Sequence, residues 1–167
     1  MKPLPSLAEL NDLLDYNPET GLFTWKKSRS GNGGVGSIAG SLQKETGYIS
    51  ITINRKRFRA HRLAYKMYHG SDPVDQVDHI DMDRANNCIA NLRDATNSQN
   101  RRNTRPPKTN TSGFKGVSLH SNGKKWEAQI KINYKTTYLG SYKTKEEAAL
   151  AYEKAAKEYF GDFARTV

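Results

Sequence analysis

A single cysteine, Cys88, stands among the 167 residues. One thiol forms neither an intramolecular disulfide nor a multi-cysteine zinc site, so oxidative staples and zinc ribbons are excluded. Cys88 itself reads as a small buried hydrophobe. Long apolar runs are missing too: the best, "LAEL" and "IAG", fall far short of the roughly 18 residues of a membrane helix. The N-terminus has no apolar signal-peptide core, so the expected location is the cytoplasm, with no membrane partner. Apolar residues make up 35% of the chain and mean hydropathy is −0.84. That composition builds small modules with modest cores and excludes a large single-core enzyme. Acid is in short supply, with 17 Asp and Glu against 27 Lys and Arg and a net charge of +10. The expected partner is a polyanion.

Charge and turn residues divide the chain. Residues 101–110, "RRNTRPPKTN", carry four basic side chains and no acid. Pro106 and Pro107 block helix continuation and favour extended backbone. The expected organisation is an N-terminal region over residues 1–105, a basic linker over 106–110 and a C-terminal module over 111–167. In the first part, Ser6 and Glu9 suit a capping box, and Leu7, Leu10, Leu13 and Leu14 follow at helical spacing. "NPETGLFTWKK" reads as a turn into a strand. "SGNGGVGSIAG" lacks the Lys-Ser/Thr ending of a phosphate-binding loop and reads as a connector. "GYISITINRKRFRA" alternates as a strand pair turning near Asn54, and "HRLAYKMYHG" is a short helix closed by Gly70.

The C-terminal module reads as three strands, "FKGVSLH", "KWEAQIKI" and "TTYLGSY", with turns at Asn122-Gly123 and near Asn133, followed by one helix. Thr144 and Glu147 suit a capping box, and Gly161 a C-terminal cap. Ala148, Tyr152, Ala155, Ala156 and Tyr159 share one helical face. In the middle strand Trp126, Ala128, Ile130 and Ile132 point towards that helix. Glu127, Gln129, Lys131 and Asn133 must then point away, leaving a polar, mostly basic sheet face open to a partner.

Between residues 77 and 103 the sequence reads "VDHIDMDRANNCIANLRDATNSQNRRN", which brings Asp78, His79, Asn91 and Asn100 close in the chain. These side chains suit phosphodiester hydrolysis, which needs a deprotonated water and compensation of charge on the leaving oxygen. Histidine titrates near neutrality and serves as a base, while a carboxylate and an amide offer hard oxygen ligands to Mg²⁺. Asn100 falls in a helix predicted to begin at Thr96, with Gln99 as its capping-box partner. Asp81 and Asp83 read as solvated turn carboxylates. His61 reads as a packing residue, and His69 and His120 as surface residues.

At these positions, "HRLAY", "VDHID", "NN", "NLR" and "QN", the chain resembles the HNH endonucleases, in the phage and intron-encoded homing branch where asparagine replaces the last histidine. The resemblance implies a ββα-metal unit over about 74–104. Its roles would be Asp78 and Asn100 as metal ligands, His79 as general base and Asn91 as the residue that braces the hairpin and orients the histidine. It implies Mg²⁺, or another divalent cation such as Mn²⁺, as cofactor. Arg93, Arg101 and Arg102 are candidates to grip phosphates near the cut. Paired zinc-binding cysteines found in some members are absent here, so packing alone must stabilise the unit.

Residues 112–161, through "GFKGVS", "KWEAQIKI" and "YLGSY" to "EEAA", resemble the plant ethylene-response-factor (Apetala-two) DNA-binding domain, which lays its sheet in the major groove. The resemblance implies DNA contacts by Lys115, Ser118, His120, Gln129, Lys131, Thr136 and Tyr138, with Tyr152 reaching phosphate. The usual arginines and second tryptophan are missing, which weakens guanine readout.

The expectation is therefore an α+β chain. A metal-dependent HNH nuclease, cutting double-stranded DNA by strand nicking in a phage-infected or bacterial host cell, precedes a DNA-binding module that aids sequence selection. No protein partner is implied. A non-catalytic DNA-binding regulator is the alternative.

Overall fold

The computed structural model describes residues 3–28, 34–104, 106 and 109–165. Strands and helices mix in two compact units, Met1–Asn97 and Ser98–Val167. Part of the glycine-rich connector and, in and beside the expected linker, Arg105, Pro107 and Lys108 lie outside the described residues.

The first unit opens with α1 (Leu7–Leu13), where Ser6 Oγ accepts from the Glu9 N–H at 3.1 Å. The expected box is only half present. Glu9 Oε1 instead accepts from Asn54 Nδ2 at 2.7 Å, which pins the helix to a distant turn. The chain is already extended at Leu14, the last leucine of the period, because β1 (Leu14–Tyr16) pairs antiparallel with β2 (Phe23–Trp25). A second sheet holds β3 (Ser41–Leu42), β4 (Ile49–Ile53) and β5 (Lys56–Arg59), with β4 in the middle. Asn54 and Arg55, at φ 48° and 62°, form the left-handed pair that a two-residue hairpin needs. Helix α2 (Ala60–His69) follows and ends at Gly70.

The last part of this unit is a hairpin of β6 (Gln76–His79) and β7 (Leu92–Ala95), and α3 (Asn97–Arg102) begins at its boundary. This is the ββα order expected, with Thr96 immediately before the helix. Asp75 Oδ2 accepts from the Asn97 N–H at 3.1 Å. Val77 and Leu92 bury into one core with Leu10, Phe23, Ile51 and Leu63. Burying each large apolar side chain stabilises by about 1.5–3 kcal/mol, so packing on the upstream elements holds the hairpin.

In the second unit β9 (Trp126–Ile132) lies between β8 (Val117–Leu119) and β10 (Lys135–Tyr142), all antiparallel. Asn133 and Tyr134, at φ 47° and 66°, make the second two-residue hairpin. Helix α4 (Lys145–Phe160) carries the complete Thr144–Glu147 capping box. Its small side chains, Ala148 and Ala156, are fully buried and let the helix sit close against Ala128 and Ile130 of β9. The expected helix face is corrected at one position: Tyr159 is 51% exposed, and Phe160 packs on the core instead.

The unit boundary falls earlier than the expected tether. Lys115 Nζ donates to the carbonyls of Arg102 and Thr104, and the Arg102 guanidinium lies 4.4 Å from the Phe160 ring centre. These contacts bind residues 98–104 to the C-terminal unit. Asn110 and the buried Ser112, which donates to the Val117 carbonyl at 2.8 Å, also belong to it. Among the described residues no helix is long and apolar enough to cross a membrane.

Candidate functional site

Strand β6 delivers Asp78 and His79 together, both buried, at 5% and 4% exposure. The loop between β6 and β7 then folds on its own amides. Asn87 is 2% exposed, and its Nδ2 donates to the Ala85 carbonyl at 3.1 Å. That bond fixes which way the amide faces and turns Oδ1 towards His79 Nε2, 3.3 Å away. An acceptor there places the imidazole proton on Nε2 and makes Nδ1 the basic nitrogen. Burial pushes the His79 pKa down, while the Asn87 bond and the carboxylates of Asp81, Asp78 and Asp83 push it up, and the balance is a lowered value. The ring is thus neutral near pH 7, the state a base requires.

Asn91 acts on the loop. It accepts from the Asp81 N–H at 3.0 Å and donates to Asp81 Oδ1 and the Asn86 carbonyl, each at 2.9 Å. Asp81 also accepts from Asn86 Nδ2 and the Asp83 N–H. Burial opposes ionisation of Asp81, but the bonds from Asn86 and Asn91 outweigh it and hold its pKa below the usual value. Asp81 is therefore a turn carboxylate. Asn87 Oδ1 meets the histidine, and the pair "NN" at 86–87 is the sequence signal for it.

Asp78 faces Arg93 directly across the hairpin. Arg93 Nε and Nη2 donate to Asp78 Oδ2 at 3.0 and 2.8 Å, so this arginine, expected at phosphate, is engaged with the carboxylate. Among the described residues no group of three or more His, Cys, Asp or Glu is arranged to hold a metal ion. Asp78, an amide and water make the hard-oxygen set that Mg²⁺ accepts. Asn100, the expected amide, lies on α3 in the second unit, as do the exposed Arg101 and the stacked Arg102.

Two further rings complete the first unit's site. His61, 7% exposed, meets His79 edge-on at 4.9 Å between centroids, and Tyr48 lies 5.1 Å from His61 and 5.9 Å from His79. Burial, then the neighbouring His79, Arg59 and Arg62, drives the His61 pKa well below its usual value. His61 is a packing residue as expected, and His69 is exposed beside Tyr65 and Tyr68.

On the second unit's sheet the exposed residues Gln129 and Tyr138 are directly paired across β9 and β10, as are Lys131 and Thr136. Ser118 pairs with Glu127 in the same layer, and His120 lies at its end with Nε2 3.5 Å from Glu127 Oε1. Ala128 and Ile130 between them are buried, so the two faces divide as the alternation predicts. Two expected contact residues lie elsewhere. Tyr152 is 4% exposed beneath Gly116, and burial raises its pKa. Lys115 is half-buried on backbone carbonyls, and burial, with Arg165 nearby, lowers its pKa to about 8.

Two family models match the chain, HNH endonuclease over residues 58–102 and AP2 domain over residues 112–162. The chain belongs to the HNH endonucleases. Protein 3.8 of Escherichia phage T7 is 32% identical over 108 residues, covering 64% of this chain and 88% of that protein. An HNH endonuclease of Acanthamoeba polyphaga mimivirus is 35% identical over 122 residues, 72% of this chain and 62% of the relative. An AP2-like ethylene-responsive transcription factor of Arabidopsis thaliana is 32% identical over 114 residues, 62% of this chain and 31% of the relative. The chain thus spans less than two thirds of the mimivirus and plant relatives. The HNH match begins at Phe58 and holds Asp78, His79, Asn87 and Asn91, while Tyr16 and Tyr48, which also touch this site, precede it.

Proposed function

We propose that this HNH protein is a metal-dependent endonuclease that hydrolyses one strand of duplex DNA at a time, homing-type, with its AP2 unit selecting the site. The observation that carries this reading is the buried His79, its Nε2 3.3 Å from Asn87 Oδ1, next in the chain to the buried carboxylate of Asp78. His79 Nδ1 takes the proton of the attacking water. Asn87 keeps the ring in the right tautomer and gives the developing imidazolium an acceptor. Asp78 would offer a carboxylate oxygen, and Asn100 an amide oxygen, to Mg²⁺ or another divalent cation such as Mn²⁺, which when bound supplies Lewis-acid stabilisation of the leaving oxygen. Binding a cation at Asp78 requires Arg93 to share or yield Oδ2. The outward row of Ser118, Gln129, Lys131, Thr136 and Tyr138 meets base edges and phosphates. A protein that carries this set solely to bind DNA, as the regulator alternative has it, gains nothing from a tautomer-fixed buried histidine.

Incubating the purified full chain with supercoiled plasmid, with and without Mg²⁺, tests the reading. Nicked circles should appear with Mg²⁺ alone, and His79→Ala should bind DNA while losing turnover. Undiminished binding with no cutting by wild type under any divalent cation would leave the regulator reading.

A further inference from the structure

Tyr48, whose ring lies 5.9 Å from that of His79, and two arginines grouped on it have no part in the scheme above, and they come from three separate segments. Tyr48 precedes β4, Arg59 ends β5, and Arg84 sits in the loop of the ββα hairpin. The Arg59 Cζ lies 3.9 Å from the Tyr48 ring centre and the Arg84 Cζ 4.9 Å from it. Both distances are within cation–π range, so one ring positions two guanidinium groups. Arg84 is further tethered by Nη1 to the Thr46 carbonyl at 2.9 Å.

Their charge is not neutralised. Among the described residues neither Arg59 nor Arg84 has a carboxylate within ion-pair distance, whereas Arg93 is bound to Asp78. Arg59 also carries a buried Nη1 with no hydrogen-bond acceptor. Two guanidinium groups without a carboxylate partner, gathered on a ring that neighbours the His79 ring, and one with a donor unsatisfied, form an arrangement that an oxyanion completes. Guanidinium is the side chain whose planar donors match phosphate oxygens.

The geometry points to Tyr48, Arg59 and Arg84 as a phosphate-binding platform that holds a backbone phosphodiester of the DNA strand against His79. This rests on the endonuclease reading, and it gives the phosphate-gripping role expected of Arg93 and Arg102 to two arginines outside the expected set. Tyr48 contributes the flat support and the arginines contribute donors and charge. Arg57, on the same strand as Arg59 but exposed and bonded to Gln43 Oε1 at 3.1 Å, has no share in it.

The test measures plasmid nicking and duplex binding over a salt series for the full-length wild type, Arg59→Ala, Arg84→Ala, Arg59→Lys and Arg57→Ala. Arg59→Ala and Arg84→Ala should each lower kcat/KM by about 10²-fold, the scale of losing one aligned donor. Each should also reduce the slope of log affinity against log salt by about one. Arg59→Lys should keep the slope while still losing rate, because charge remains and the fork does not. Melting curves establish that each variant is folded, and if Arg59→Ala does not fold, Arg59→Lys and Arg84→Ala carry the test. Wild-type rates and slopes in the folded alanine variants would overturn the platform, as would an equal loss in Arg57→Ala. A wild type that binds but never cuts counts against the endonuclease reading, and the binding slopes then still decide whether the arginines hold phosphate.

Discussion

The Tyr16 hydroxyl donates to the backbone carbonyl of Asn87 at 2.8 Å, across 71 positions of sequence. The Ile89 N–H donates to the Pro18 carbonyl at 2.8 Å, and Gly21 presses against the Asn87–Cys88 peptide so closely that a Cβ there would lie 2.4 Å from it. The turn at residues 17–21 therefore seats the loop whose Asn87 fixes His79. Burial, with Cys88 and Tyr68 adding to it, raises the Tyr16 pKa, which keeps the hydroxyl protonated and donating.

Replacing Tyr16 with Phe removes that donor and leaves the ring on Phe23. The Asn87 carbonyl is then left short of a partner, which costs about 1–3 kcal/mol where it stays buried. The expected result is a lower kcat for nicking with KM little changed, alongside a lower melting temperature. Gly21→Ala should be worse, since φ is +73° and the clash is with backbone. Equal activity and melting in Gly21→Ala and wild type would show that the turn does not seat the loop.

Asn87→Ala and Asn91→Ala separate two roles. Losing Asn87 removes the acceptor at His79 Nε2 and should cut kcat by more than tenfold in a folded protein. Losing Asn91 frees the Asp81 loop and should show first as lost stability, about 1–3 kcal/mol by denaturant titration. If Asn87→Ala cleaves at the wild-type rate, the tautomer argument fails.

What the sequence made legible was local. Capping at Thr144, hairpin turns at Asn54 and Asn133, and the alternation from Trp126 to Ile132 depend on neighbours a few positions apart, and each is present. Asp78 and His79 stood out because a carboxylate beside a histidine is a local pattern. Tyr16, Tyr48 and Arg59 did not, because what they do depends on partners far along the chain. Arg93 misled for the same reason: only the hairpin register shows that Asp78 stands opposite it. Tyr152 follows the helical apolar period correctly, and that same period is why it is buried and not at phosphate.

Acid should destabilise the first unit through its two buried histidines, His79 and, with the stronger depression, His61. Both folded pKa values are depressed by burial, so the unfolded chain binds the extra protons first. The stability is fully present above about pH 6.5, the ordinary histidine value, and is lost as pH falls below it, by at most about 1.4 kcal/mol per pH unit for one proton. Trp25 reports this unit once Trp126→Phe removes the other tryptophan. His61→Phe in that background should flatten the slope between pH 6.5 and 5, and an unchanged slope would assign the proton to another group.

The AP2 sheet offers the sharpest separation of sequence readout from charge. Gln129 and Lys131 are exposed at the centre of the sheet, each opposite a polar partner, Tyr138 and Thr136. An amide there is placed to pair with adenine, whereas exposed Lys125 lies beyond the strand at the turn and reaches only backbone. Gln129→Ala should change which duplexes are bound, by about 1–3 kcal/mol at the affected base pair. Lys125→Ala should weaken all sequences alike and lower the salt slope by about one. Selection from a randomised duplex pool, with affinities at two salt concentrations, reads both effects. Gly116, just before β8 and against the buried Tyr152, supplies the control. Gly116→Ala would put a methyl 2.2 Å from the Tyr152 ring and 2.5 Å from the Gln129 carbonyl, at φ +70°, so it should unfold the unit and abolish binding to every sequence without altering preference. If Gln129→Ala left preference untouched while a folded Trp126→Ala changed it, the two faces of the sheet would carry the opposite roles.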